Sequence, residues 1–331
     1  MTKTELHRVL DQSLAYAPTW GPGFSNHLPM ALHAAWELGA DGERMAAQVR
    51  HEVGHLELAQ ADTSQAQDWR ELLGRRDADA RLRALMLAEI QEQGAVAVLR
   101  NRVPLLITSP HAGLFHGMIR TAHAFESGHR GELAAALASW AGSWSTLPSG
   151  DGEAGMAFDD WQRALQRRLV SSQERLRGER LLGVAKGPDY AALCDALAPE
   201  THWTLRREQL LSMALDGYLE SKNFVILHLI TGLRALRVLA PFVPDWPDVQ
   251  TWLTRAFTAA WLASGMERRP RSDEEAAPSW PDLHHAALVQ FDDHVIKLVH
   301  ACWQEDRLQA DPRWRQAAAL ATEAAALTPA V

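Results

Sequence analysis

The sequence predicts an all-α protein built as a single multi-helix domain, and three observations carry that prediction. Apolar residues recur at helical spacing almost everywhere. Alanine and leucine dominate. Period-two runs of β-branched residues are missing. Taken in chain order, Leu82, Leu85, Met86 and Ile90 mark one helical stripe. The segment ITSPHAGLFHG reads as a loop entering a helix, with Pro110 and Gly113 as punctuation. Residues 148–155 (PSGDGEAG) read as a loop. Leu210, Leu211, Ala214, Leu215 and Tyr218 mark a second stripe. Residues 224–238 are the most apolar and predict a central helix, which the prolines of 241–247 (PFVPDWP) stop. Residues 267–281 form a long charged loop. The alanine-rich stretch within 304–331 predicts a peripheral helix or a frayed tail.

Composition narrows the function classes. The chain has 331 residues, 47% of them hydrophobic, enough for a large core. Mean hydropathy is −0.22, and no apolar run approaches the ~20 residues of a membrane span, so no membrane association is expected. The N-terminal MTKTELHRVLDQSLAYAP has no continuous apolar segment behind a basic start, so no secretory signal is expected and the default compartment is cytoplasmic. A net charge of −8 with both signs mixed argues against a nucleic-acid groove, which needs clustered Lys and Arg. Two distant cysteines, Cys194 and Cys302, exclude a disulfide framework or a cysteine zinc site. No GxGxxG, Walker-type or GxSxG string occurs, so neither a flavin or dinucleotide motif nor a nucleophile elbow is encoded.

The 15 histidines are the residues that point to chemistry, because neutral imidazole is the commonest metal ligand. Two arrangements compete. His51-Glu52-Val53-Gly54-His55 is a literal HExxH, the zinc-hydrolase string. Its flanks (Gln48, Arg50, Glu57, Gln60) are polar and Gly54 weakens a helix, so the alternative is a solvated helix face. The second arrangement is dispersed. His27, His116, His228 and His294 lie in apolar helical settings on four separate elements, where an unpaired imidazole is costly. Helical bundles build metal centres from facing helices, and Asp292 or Asp293 could orient His294 or a neighbour. Taken singly, each of these histidines is also readable as a hydrogen-bonded core residue.

A resemblance favours the second arrangement. NHLPMALHAAWELGA, WRELLG, GLFHGMIRTAHAFES with ELAAALASWA, LHLITGLRALR and DDHVIKLVHAC occur in the order seen in the questin oxidase-like family and span about residues 26–303. The HExxH segment lies outside that set. The resemblance implies oxygen-dependent cleavage of anthraquinone-type aromatic rings, with NADPH as an external electron donor. It also implies a non-haem Fe(II) held by four histidines and a carboxylated lysine. Carried onto this chain, the metal ligands are His27, His116, His228 and His294, with Lys297 as the modified lysine and His284 or His285 as alternatives to His228.

Around these ligands, Arg120 and His123 follow His116 at i+4 and i+7 and are candidates to hold a phenolate or carboxylate; an internal salt bridge is the alternative for Arg120. Trp36, Phe115 and Phe224 are candidates to line an aromatic substrate pocket, with core packing as the alternative. The sequence thus predicts an oxidoreductase taking dioxygen and a small aromatic or polyketide-like substrate at a mononuclear metal, with imidazole suited to iron, copper or zinc. A zinc hydrolase using His51, Glu52 and His55 is the rival. A non-catalytic helical ligand-binding protein is the third reading.

Overall fold

The computed structural model describes residues 1–60, 68–168, 177–267 and 277–326. Among these the architecture is helical, with one two-stranded antiparallel ribbon pairing β1 (Thr19–Trp20) with β2 (Phe24–Ser25). The helices are α1 (Lys3–Ser13), α2 (Leu28–Glu37), α3 (Gly42–Glu52), α4 (Asp79–Gln93), α5 (Ala95–Leu106), α6 (His116–Ser127), α7 (Arg130–Gly142) and α8 (Phe158–Gln166). They continue with α9 (Arg177–Val184), α10 (Pro188–Leu193), α11 (Trp203–Ser221), α12 (Phe224–Leu239), α13 (Pro247–Ser264), α14 (Trp280–Leu288), α15 (Asp293–Leu308) and α16 (Pro312–Ala326).

The expected stripes fall on α4 and α11. The alanine-rich C-terminal segment forms α16, which packs on α15, α11 and α14. Residues 148–155 carry no helix, and the prolines after α12 leave only a short 3-10 turn, Ala240–Phe242, before α13. Of the charged loop expected at 267–281, residues 268–276 lie outside the described residues, and Trp280 and Pro281 already belong to α14. Counted through its 3-10 turn, the helix at Phe224–Phe242 is long and apolar enough to cross a membrane, but its most apolar window is 72% buried inside the protein.

Four helices position the site. α2 packs on α6, α6 on α12, α12 on α15, and α15 back on α2, closing a ring. Small residues allow the close approaches. A Cβ on Gly117 of α6 would sit 2.5 Å from the Trp140 ring of α7, and one on Gly232 of α12 would sit 3.0 Å from Phe115 Cβ. The helix starts are defined by side chains. Asn223 Oδ1 accepts from the Val225 and Ile226 amides to begin α12, and Asp292 Oδ1 accepts from the His294 and Val295 amides to begin α15. α6 begins differently. Leu114 and Phe115 both take left-handed backbone, with φ of 57° and 68°. Each such non-glycine residue costs about 1–3 kcal/mol and persists only where its surroundings hold it. Here Phe115 is buried against Gly232, which places His116 as the first residue of α6.

Candidate metal centre

His27 directly precedes α2, His116 opens α6, His228 lies one turn into α12 and His294 is the second residue of α15. The ring of helices brings all four together. His27 Nε2 lies 2.6 Å from His116 Nε2, and His228 Nε2 lies 3.2 Å from the same atom. His27, His228 and His294 offer ligand atoms within 4.8 Å of one another. Around the cluster, neighbouring ring centroids are 4.5 Å (His27–His116), 4.8 Å (His116–His228), 5.3 Å (His228–His294) and 4.5 Å (His294–His27).

The outward nitrogens explain the inward ones. His27 Nδ1 donates to Asp293 Oδ2 at 2.6 Å, and His294 Nδ1 donates to Asp293 Oδ1 at 2.6 Å. His228 Nδ1 donates to the Phe224 carbonyl at 2.8 Å, and His116 Nδ1 donates to the Gly113 carbonyl. A neutral imidazole carries one N–H and one lone pair. With Nδ1–H fixed by an acceptor in every case, Nε2 is the nitrogen each neutral ring has left to offer a metal. Such a set is mutually repulsive without a cation, and His294 Nε2 is indeed buried without a hydrogen-bond partner. Acceptors behind the ligating imidazoles are what a metal site requires.

Burial keeps three of the four rings neutral, and Asp293 supplies negative charge beside the fourth. Burial holds the His27 pKa down at about 4 and drives His116 and His228 well below the usual histidine range. Burial also acts to lower His294, but Asp293 and Asp292 outweigh it and raise its pKa. For Asp293, burial acts upward, and His27, His294 and Lys297 overcome it to hold the carboxyl well below its usual range. Lys297, one turn beyond His294, is buried; that burial lowers its pKa against the pull of Asp293, Asp292 and Glu52.

Other expected site residues lie elsewhere. Arg120 forms a buried bidentate pair with Glu132 of α7, at 2.6 and 2.9 Å, and so is an internal salt-bridge residue rather than a group facing the four histidines. His123 is also displaced. Seven residues after His116 is two helical turns, about 10 Å along the axis, which places it in a separate cluster with His33 and His300. Trp36 borders that second cluster, 6.1 Å from the His33 ring, and donates from Nε1 to the Met1 carbonyl. Phe115 packs on α12 as described. Phe224 does flank the centre, 4.6 Å from both the His228 and His294 rings. His284 sits against Trp303, and the position offered to it or His285 is filled by His228.

The HExxH string does not form a metal site. α3 ends at Glu52, so His55 lies beyond the helix. His51 is exposed and stacks on Phe291, while His55 packs on Trp20. Glu52 nevertheless matters: it is buried toward the main cluster, and burial together with Asp293 raises its pKa to about 7. The sequence offered Glu52 only within the rival zinc-hydrolase reading and gave no sign of this placement. Two cavities, of about 90 and 190 Å³, are lined by other residues and are smaller than the ~300 Å³ of a typical ligand pocket.

Residues 24–302 match the pattern of the family described as Questin oxidase-like, which is most of the chain. No curated protein matches it. The chain belongs to the questin oxidase-like family.

Proposed function

Because the chain is a questin oxidase-like protein, we propose that it is an oxygen-dependent oxidoreductase acting on a small aromatic, polyketide-like molecule through iron held by His27, His116, His228 and His294. The observation that carries this reading is the cluster of four imidazoles, each with its Nδ1 anchored behind it. Ferrous iron supplies the one-electron chemistry that triplet dioxygen needs to react with a closed-shell aromatic, and imidazole is a suitable ligand for it.

The chain's own groups do the remainder. Asp293 fixes the tautomers of His27 and His294 and offsets cationic charge. Phe224 shields one side of the cluster. The first turns of α2, α6, α12 and α15 gather near it, and their dipoles favour an anion such as a phenolate beside the centre. Lys297 is the fifth ligand after carboxylation. Its neutral amine adds carbon dioxide through a new N–C bond and releases one proton, leaving an anionic oxygen donor. The buried, downshifted amine supports that step.

Electron balance separates two outcomes. Dioxygenation places both oxygen atoms in the product and needs no reductant. Baeyer–Villiger-type insertion places one atom in the product and reduces the other to water with two electrons from NADPH. The test is chain purified without chelators, assayed for metal content and for oxygen uptake with a panel of hydroxyanthraquinones under labelled dioxygen. Stoichiometric iron and substrate-dependent uptake, lost in His27→Ala, support the reading. Stoichiometric zinc with no uptake refutes it.

A further inference from the structure

The four helices that carry the first histidine cluster carry a second layer of polar residues. His33 follows His27 by six residues on α2, His123 follows His116 by seven on α6, Arg234 follows His228 by six on α12, and His300 follows His294 by six on α15. At 1.5 Å per residue the two layers are about 9–10 Å apart, far beyond the ~4 Å of a bridged metal pair. The second layer is drier than the first: His33, His123 and His300 are 1%, 4% and 0% exposed.

Their geometry is that of a ligand set. The three ring centroids form a triangle with edges of 5.1, 5.3 and 5.9 Å. Three imidazoles bound tetrahedrally at about 2.0–2.1 Å would place their centroids about 5.2 Å apart. His33, His123 and Glu126 offer ligand atoms within 4.8 Å of one another. The polar capacity is unfilled. His33 Nδ1 and His123 Nδ1 share one hydrogen bond at 2.9 Å, while His33 Nε2 and both nitrogens of His300 are buried with no partner. Three fully buried imidazoles with one hydrogen bond among them are a costly core unless a cation takes their lone pairs.

Charge does not forbid a cation. Arg234 is neutralised by two hydrogen bonds of 2.7 Å to the two oxygens of Glu126, each of which keeps a further lone pair. Glu37 adds a second carboxylate to that neighbourhood. Burial holds His33 down at about 3 and drives His123 and His300 well below the usual range, so the lone pairs are free at neutral pH.

We infer that His33, His123, His300 and Glu126 form a second, closed site for a first-row divalent cation of the zinc type, separate from the oxygen-facing centre. Four protein ligands without an open position are the mark of a structural metal, here tying α2, α6 and α15 together.

The test uses the full chain, stripped with chelator and titrated with cobalt(II) alone, read by its visible absorption and by retained cobalt after gel filtration. The inference expects two equivalents per chain in the wild type. His300→Leu and His123→Phe should each retain one equivalent and lose the strong visible bands of four-coordinate cobalt. His27→Ala with His294→Ala should retain those bands with one equivalent, so failure of the first centre is read separately. Wild-type uptake that saturates at one equivalent and is retained in full by His300→Leu overturns the inference. Two equivalents retained by His300→Leu also overturn it.

Discussion

Asp293 is the residue on which the first histidine cluster turns, and replacing it with asparagine tests the arrangement. Each carboxylate oxygen accepts from one imidazole, His27 through Oδ2 and His294 through Oδ1, both at 2.6 Å. Asparagine keeps the shape but has one acceptor oxygen and one NH2 donor. One histidine keeps its Nδ1–H. The other faces a donor, must carry its proton on Nε2, and points that N–H at the cation. Loss of one such supporting acceptor costs about 10- to 100-fold in metal affinity. Because one carboxylate serves two of the four rings, Asp293→Asn should reach the upper end, about 100-fold or ~2.7 kcal/mol. The assay is competition for iron(II) or cobalt(II) against a chromophoric chelator at neutral pH. Asp292→Asn is the control. Asp292 caps α15 and lies 3.6 Å from His294 Nδ1, and asparagine caps equally well, so affinity should hardly change. An Asp293→Asn chain that binds within about threefold of wild type would refute the tautomer argument.

Four further outcomes follow from the same geometry. Lys297→Ala should weaken metal binding and Lys297→Glu should partly restore it by supplying a carboxylate, read as metal retained after gel filtration; full retention and activity in the alanine variant removes Lys297 from the ligand set. The double variant His51→Ala/His55→Ala should keep its metal and its oxygen uptake, since one ring is exposed on Phe291 and the other lies beyond α3. Glu52 ionises near the ordinary carboxylate value of 4.5 when unfolded but at about 7 when folded, so the folded chain holds an extra proton between those values and loses stability as pH rises through them. In chelator-treated protein Glu52→Gln should therefore be more stable than wild type at pH 8, by on the order of 1–2 kcal/mol allowing for solvent screening, with the gain gone at pH 4; thermal melts at the two pH values read this directly. Gly117→Ala would force a Cβ to 2.5 Å from the fully buried Trp140 ring beside His116, so it should destabilise by roughly 1–3 kcal/mol and lower metal content.

Much of this was legible in the sequence because helical period and apolar setting are local properties. The stripe at Leu82–Ile90 and the apolar run at 224–238 are helices, and His27, His116, His228 and His294 converge although up to 267 positions separate them. What was not legible depends on rotation and on partners. Arg120 shares a helix with His116 but faces α7, where Glu132 meets it, and nothing in the spacing of α6 alone reveals that. Asp293 was offered only as one of two carboxylates that could orient a ligand. That it bridges two rings depends on α15 lying against α2, a contact no local pattern carries. Glu52 entered only through the rival HExxH reading, which presumes a continuous helix, whereas α3 stops at Glu52 itself. The second histidine layer left a readable trace, an i+6 or i+7 echo of each first-layer histidine. It gains meaning only once the four helices are seen to close a ring.

The most direct test of the account is X-ray absorption at the iron edge on chain reconstituted with one equivalent of iron(II), compared between wild type and His300→Leu. The account predicts, in both, a first shell dominated by imidazole, with the outer-shell scattering of about four rings and iron–nitrogen distances of about 2.0–2.3 Å. A shell with two or fewer imidazoles, or one that changes when His300 is replaced, would contradict the claim that His27, His116, His228 and His294 hold one metal.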